Sequence, residues 1–98
     1  MDDLRFQWDP RKAAANLRKH GVSFTEAESV FSDEQGLLLD DVEHSGAEDR
    51  FVLLGGSAGG RLLLVVHAYR SAAGIIRIIS ARKADRMERR QYQEQGHS

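Results

Sequence analysis

The side chains best suited to chemistry in this sequence are cations near its two ends. Toward the start, four polar residues at spacings of four, three and one fall on one side of a predicted helix: Lys12, Asn16, Lys19 and His20. Toward the end, Arg77 stands among four isoleucines, and Arg82 follows it five residues later. Cations held in this way stabilise the negative charge that grows on a phosphoryl group during cleavage. Most small amphipathic helices also show a polar face to solvent, so spacing alone leaves both interpretations open.

Arg77 is the hardest of these residues to explain as a solvated surface charge. An uncompensated charge in an apolar interior costs more than the whole stability of a small domain, roughly 5–15 kcal/mol. Two interpretations remain: the guanidinium pairs with Glu48 or Asp49 from a nearby strand, or it projects from the sheet toward a phosphate. Strict strand alternation places Arg77 and Ala81 on one face of the sheet and Arg82 on the other.

The segment after this strand is predicted to be a basic helix that starts at Ser80 or Ala81 and ends near Gln95. Its arginines fall on adjacent turns, and a second side carries three residues at i, i+4 spacing: Arg82, Arg86, Arg89 and Arg90 on the first, Ala84, Glu88 and Tyr92 on the second. Such a helix either keeps the protein soluble or faces a polyanion. Tyr92 either packs and bonds through its hydroxyl or stacks on a base.

No set of side chains has the spacing of a strong metal site. Asp40, Asp41 and His44 lie close together but in an acidic loop, which is a weak signal. The chain has no cysteine, which excludes disulfides and thiolate zinc sites. The segment "GGSAGG" separates two predicted strands, so it is a turn and not a phosphate-binding loop. We therefore predict no metal and no cofactor, and catalysis by electrostatics and proton transfer. Histidine side chains in general have a reference pKa of about 6.5, which suits proton transfer near neutral pH, and His20 is the histidine beside the predicted cations.

Length and composition indicate one globular domain spanning residues 1–98. Of these 98 residues, 41% are hydrophobic and 30% are charged, the balance of a soluble folded chain. No apolar run approaches the roughly 20 residues that span a bilayer, and the polar first residues do not resemble a signal peptide. We therefore expect a soluble protein of the cytoplasm.

The net charge of −1 conceals a segregation of charge along the chain. Residues 1–20 carry five basic and three acidic side chains, residues 21–76 three and nine, and residues 77–90 six and two. If the two ends of the chain meet in space, they form a basic surface beside an acidic one. The first suits a polyanion, and the second suits a basic partner.

Local patterns predict the elements that position these residues. A short alternating strand, "LRFQW", precedes a helix over Pro10–His20, which Asp9 and Gly21 cap. Ser23 opens a second helix with a capping-box partner at Glu26. Four strand candidates follow: "GLLLD", "RFVLLG", "RLLLVVHAY" and "IIRIIS". The order β-α-α-β-β-β-β-α predicts an α+β fold with a largely antiparallel sheet packed against helices.

Two separated motifs give the chain a family resemblance. The segments "FQWDPRKAAANLRKHGVSFTEAESVF" and "IRIISARKADRMERRQY" resemble the BrnT family, the toxin half of a bacterial type II toxin–antitoxin pair. The resemblance extends from Phe6 to about Tyr92. Two departures stand out: Glu34, where proline is common, and Asp85, where a small hydroxyl residue is usual.

The resemblance implies a fold, an activity and partners. It implies a RelE-like fold and a ribonuclease activity that halts translation. It further implies neutralisation by a ribbon-helix-helix antitoxin, similar to BrnA. Two toxins are expected to bind one antitoxin dimer, and that assembly is expected to contact promoter DNA through the antitoxin.

Together, the residues and the resemblance yield a hypothesis of metal-free RNA cleavage by the adjacent 2′-hydroxyl. Six residues are candidate catalytic groups. Arg77 and Arg82 are predicted to clamp the phosphate, and Lys19 is predicted to stabilise negative charge. His20, Glu88 and Tyr92 are the candidates for proton transfer or base contact. Four further residues are predicted to bind substrate: Lys12, Asn16, Arg70 and Arg86. The competing hypothesis is a non-catalytic module that binds nucleic acid or a partner protein, with salt-sensitive binding and no strand scission.

Overall fold

Five strands form one mixed sheet in the order β1-β5-β4-β3-β2. The computed structural model describes residues 5–40, 50–70 and 74–95. The strands are β1 (Arg5–Gln7), β2 (Leu37–Asp40), β3 (Phe51–Gly56), β4 (Leu62–Arg70) and β5 (Ile75–Lys83), and the helices are α1 (Pro10–His20), α2 (Phe24–Ser29) and α3 (Arg86–Glu94). A 3₁₀ turn over Val30–Ser32 extends α2. All neighbouring strands are antiparallel except β1 and β5, so the predicted α+β class and element order are confirmed.

The first helix has the predicted bounds because its caps are strong. The Asp9 carboxylate accepts a hydrogen bond from the Arg11 N–H at 2.8 Å, and Pro10 occupies the first helical position. Gly21 adopts a left-handed conformation with φ 69°, and its N–H donates to the Leu17 carbonyl. Sequence patterns at helix ends therefore fix the position of α1 along the chain.

The last helix begins later than predicted, at Arg86 instead of Ser80 or Ala81. The reason is that β5 continues to Lys83, so the residues assigned to the first helical turn belong to the strand. Asp85 is the N-cap and forms a capping box with Glu88. An aspartate caps a helix as well as a small hydroxyl residue does, so the departure at position 85 preserves the cap.

The sheet has two differently covered faces. Helix α2 and its 3₁₀ turn lie on one face, which we call the α2 face; its buried core includes Phe24, Ala27, Val30, Leu63, Val65, Ile78 and Ala81. Helix α3 covers part of the opposite face, the α3 face, around Leu54, Leu64 and Ala84. Apolar burial on both faces fixes which side chains of each strand point to which side.

A β-bulge in β5 changes which of its side chains share a face. The register with β4 slips by one position, and Ile79 is the extra residue. Ile78 and Ala81, on either side of the bulge, are both buried in the α2-face core. Arg77 and Arg82 therefore lie together on the α3 face. The strict alternation predicted from the sequence is wrong here, because the bulge shifts its phase by one residue.

Some predicted features fall outside the described residues. These are Glu48 and Asp49, the suggested partners of Arg77, and Asp41 and His44 of the weak metal motif. Across the three described ranges, no helix is long and apolar enough to cross a membrane.

Candidate active site

The bulge creates a strip of polar side chains along the α3 face of β5. Arg77, Ser80 and Arg82 are all half-buried and share this face; we call this strip the arginine face. Their neighbours across the ladder are Ala68, Val66 and Leu64. Because these neighbours are small or apolar, the polar groups of the strip are concentrated on β5.

Arg82 is held in one orientation by Glu88. Its two terminal nitrogens donate to the two Glu88 carboxylate oxygens at 2.9 Å each, and Nη1 also donates to the Lys83 carbonyl at 3.2 Å. A guanidinium has five N–H donors in a rigid plane. Within the described residues, Nε–H and the second Nη2 hydrogen have no acceptor. These two donors form a second fork on the side of the guanidinium, the geometry that binds a phosphate with two bonds.

The Arg82–Glu88 pair is fully ionised at neutral pH. Hydrogen bonds from Arg82 hold the pKa of Glu88 below its usual range, against the effect of burial. The same bonds raise the pKa of Arg82. A carboxylate with a lowered pKa is a weak proton acceptor, so the geometry suits Glu88 to positioning Arg82 better than to the predicted proton transfer.

Asn16 hydrogen-bonds to the edge of β5 beyond the point where β1 ends. Its amide nitrogen donates to the carbonyls of Val22 and Ala81 at 2.9 and 2.8 Å, and its oxygen accepts from the Ala81 N–H at 3.1 Å. The side chain is only 7% exposed. These bonds satisfy strand-edge groups that β1 does not reach. Asn16 therefore has a structural role, and its predicted substrate contact stays a prediction.

The position of Asn16 decides where the other polar residues of α1 point. Ala13 packs against the α2-face core. Helical geometry places Lys12 and Lys19 on the other side of Asn16 from Ala13, toward the arginine face, and both are exposed. His20 is half-buried and lies on the same side as Ala13. Helical geometry thus directs the two lysines toward the edge of the arginine face and His20 toward the α2 face.

Tyr92 contacts the rest of the fold through a hydrogen bond and through ring packing. Its hydroxyl donates to Asp33 Oδ2 at 2.5 Å, and its ring packs against the α3-face core. Asp33 also accepts from the backbone N–H groups of Gly56 and Gln35 at 2.8 and 2.9 Å. Burial raises the pKa of Asp33, but these hydrogen bonds outweigh it and hold that pKa low. The bond to Asp33 in turn raises the pKa of Tyr92, which makes its hydroxyl a poorer proton donor.

We predict that Tyr92→Phe destabilises the protein without stopping RNA cleavage. One hydrogen bond to a carboxylate on a partly exposed site is lost, which lowers the free energy of unfolding by about 1 kcal/mol and Tm by about 4–8 °C. Thermal denaturation and an RNA cleavage assay well below Tm check this, with Tyr69→Phe as the matched control because Tyr69 is half exposed. A cleavage rate that falls tenfold or more would return Tyr92 to the catalytic set.

Arg77 lies in a cleft where β1 meets β5. The cleft has a volume of about 300 Å³ and is lined by Gln7, Trp8, Asp9 and Arg77. Gln7 is the partner of Arg77 in the parallel β1–β5 register. Arg77 also makes an interaction within the molecule, so pairing in the folded state and contact with a phosphate both stay open. No local pattern indicates Gln7 and Asp9 as its neighbours, because local patterns do not predict a parallel pairing between distant strands.

The remaining predicted cations lie along α3 and β4. Arg86, Arg89 and Arg90 are exposed on α3 and line one cleft. Sequence reasoning missed a second cleft, of about 490 Å³, to which Arg61 and Lys83 contribute beside Arg89 and Tyr92. Arg70 is the last residue of β4, paired with Ile75. In the described ranges, no group of three or more metal-ligating side chains is close enough to hold a metal ion.

Comparison with known proteins identifies the family. The model of the family described as "Ribonuclease toxin, BrnT, of type II toxin-antitoxin system" matches residues 8–88. The chain belongs to the BrnT family. The BrnT match makes the chain a ribonuclease toxin of a type II toxin–antitoxin system, with RNA as substrate and an antitoxin as partner. The resemblance read from the two sequence motifs is thereby confirmed, and the non-catalytic alternative is disfavoured.

A solved structure shows the same fold. The crystal structure of the Brucella abortus ribonuclease toxin BrnT aligns with a TM-score of 0.64 and 21% sequence identity, over 86% of this chain and 100% of that chain. No curated protein matches the sequence. At this level of identity the likeness to the Brucella toxin carries the BrnT fold and not the roles of individual residues.

Proposed function

We propose that this BrnT family toxin is a metal-independent endoribonuclease that uses the arginine face to bind and cleave RNA. The 2′-hydroxyl of the RNA attacks the adjacent phosphorus, the bond to the 5′-oxygen breaks, and a cyclic phosphate and a free 5′-hydroxyl result. The observation that supports this proposal is the bulge at Ile79, which places Arg77 and Arg82 on one face. Both cations can then act on one bound strand, where negative charge develops on phosphorus.

The candidate cations are proposed to bind RNA from different positions around the arginine face. Arg82 binds the phosphate through the fork that Glu88 leaves open, and Arg77 binds the same strand farther along β5. Lys12 and Lys19 add positive charge from the edge of α1. Arg86 and Arg70 extend the contact to the RNA backbone. His20 is proposed for proton transfer on the chemistry of an imidazole alone, because its side chain lies on the α2 side of α1 and not beside the arginines.

The toxin acts by cleaving RNA in the cytoplasm and so inhibiting translation. A ribbon-helix-helix antitoxin neutralises it, with two toxins on one antitoxin dimer, and the complex binds promoter DNA through the antitoxin. The family resemblance supports this part of the proposal. The segregated charge of the chain also fits it, because an acidic central segment suits a basic partner.

RNA cleavage by the pure protein in EDTA tests the proposal. Wild type is expected to cleave with EDTA present, Arg77→Ala and Arg82→Ala to lose at least about 100-fold in rate, and His20→Ala to lose less. Arg18→Ala is the matched control, because Arg18 is exposed on the far side of α1 from Asn16. Wild-type activity that disappears in EDTA would refute metal independence. Full activity of all three variants would refute the assigned site.

A further inference from the structure

We infer that the antitoxin anchors itself in an apolar groove on the α2 face, on the opposite side of the sheet from the arginine face. This inference rests on the proposed pairing with an antitoxin. The groove has a volume of about 280 Å³, and its apolar walls include Phe31, Leu38, Leu53, Tyr69 and Ile76. A space of this size holds one or two side chains, as the central pocket of a protein interface does.

The groove leaves large apolar side chains exposed. Leu38 is 54% exposed and Tyr69 is 50% exposed. Among the described residues only Leu17 and Met87 are comparable large apolar side chains, and neither lines this groove. Two exposed apolar residues around one concavity indicate an interaction site, whereas single ones are ordinary.

His67 at the base of the groove has an unmet hydrogen-bonding need. The side chain is 0% exposed, and its Nδ1 lies 3.2 Å from the Val65 carbonyl. Burial lowers the pKa of His67, so the ring is neutral, Nδ1 donates to that carbonyl, and Nε2 is an acceptor. Nε2 has no hydrogen-bond partner in the described part of the chain. A buried acceptor without a donor costs stability. Because the ring is 0% exposed, a bound partner cannot reach Nε2, and binding in the groove relies on its apolar walls.

Charge favours a basic protein segment over RNA as the occupant. Asp33 is the one charged side chain among the described residues that line the groove, and no lysine or arginine lines it. The phosphates of RNA would be repelled there, whereas lysines or arginines beside an apolar anchor would be attracted. The occupant is therefore an antitoxin segment with an apolar anchor and basic flanks.

The groove and the arginine face lie on opposite sides of the sheet, so binding and cleavage are separable by mutation. The test measures the affinity of the purified toxin for the purified protein encoded by the neighbouring gene, for wild type, Leu38→Asp and Tyr69→Asp. Each charged side chain is expected to weaken binding at least about 30-fold, as loss of an interface hot spot does. RNA cleavage by the same variants should stay within about twofold of wild type. Met87→Asp is the matched control, because Met87 is 80% exposed on α3.

A second control lies beneath the groove. His67→Phe keeps an aromatic ring beside Phe31, whose ring centroid lies 4.8 Å away, and because the residue is 0% exposed we expect antitoxin affinity within about threefold of wild type. Unchanged affinity in Leu38→Asp and Tyr69→Asp would overturn the inference. So would a wild-type dimer of toxin alone that Leu38→Asp converts to monomers, because the groove would then join two toxins. Absence of cleavage in wild type would refute the proposed ribonuclease mechanism. The affinities of the toxin variants for the antitoxin would still test whether the groove is the binding site.

Discussion

Replacing Arg82 with lysine is expected to lower kcat/KM for RNA cleavage about 100-fold while changing Tm by no more than about 3 °C. The charge stays, but lysine offers one ammonium group instead of a planar fork. It can pair with Glu88 or with a phosphate, and it cannot hold both in fixed directions as Arg82 does. Steady-state kinetics on a short RNA and thermal denaturation measure the two quantities.

Two further variants show whether the effect belongs to the fork of Arg82. Arg86→Lys is the matched control on the neighbouring helix, where the side chain is exposed, and its kcat/KM should change less than threefold. Glu88→Gln keeps one acceptor for Arg82 and should lose activity by an intermediate factor. If Arg82→Lys cleaves RNA as fast as wild type, bidentate phosphate binding at this position is refuted.

Replacing Asn16 with alanine is expected to lower the free energy of unfolding by about 3 kcal/mol and Tm by about 12–24 °C. The substitution leaves the Ala81 N–H and the carbonyls of Ala81 and Val22 without their partner at a buried strand edge. Each such group carries a desolvation penalty of about 1–3 kcal/mol, which water entering the gap reduces. Thermal and urea denaturation measure the loss.

The controls for Asn16 come from the same helix. Lys12→Ala and Lys19→Ala replace exposed side chains and should leave Tm within about 2 °C of wild type, while both weaken RNA binding. Asn16→Asp keeps the acceptor and loses both donors, so its stability should also fall. A variant Asn16→Ala with wild-type Tm and reduced RNA affinity would instead make Asn16 the substrate contact that its spacing first indicated.

Much of the fold follows from local sequence patterns. Asp9 and Gly21 determine the bounds of α1, and the apolar runs after Gly36 determine four strands in their correct order, because caps and alternation depend only on neighbouring residues. The family motifs, together with the segregated charge, also indicated a polyanion substrate and a basic partner. The capping box of Asp85 and Glu88 also has a local sequence spacing. The predicted start of α3 was nevertheless too early, because β5 continues to Lys83.

Only the tertiary structure decided which of these residues act together. Strict alternation would place Arg77 and Arg82 on opposite faces of the sheet, and the bulge at Ile79 places them on the same face. A bulge depends on pairing with β4 and not on the residues of β5 alone. Helical spacing grouped Asn16 with the lysines. In the folded protein its amide instead hydrogen-bonds to the edge of β5 beyond the end of β1. Residue types and local periods thus determine the elements and their charges. Long-range strand pairing, which no local period encodes, determines which side chains form the site.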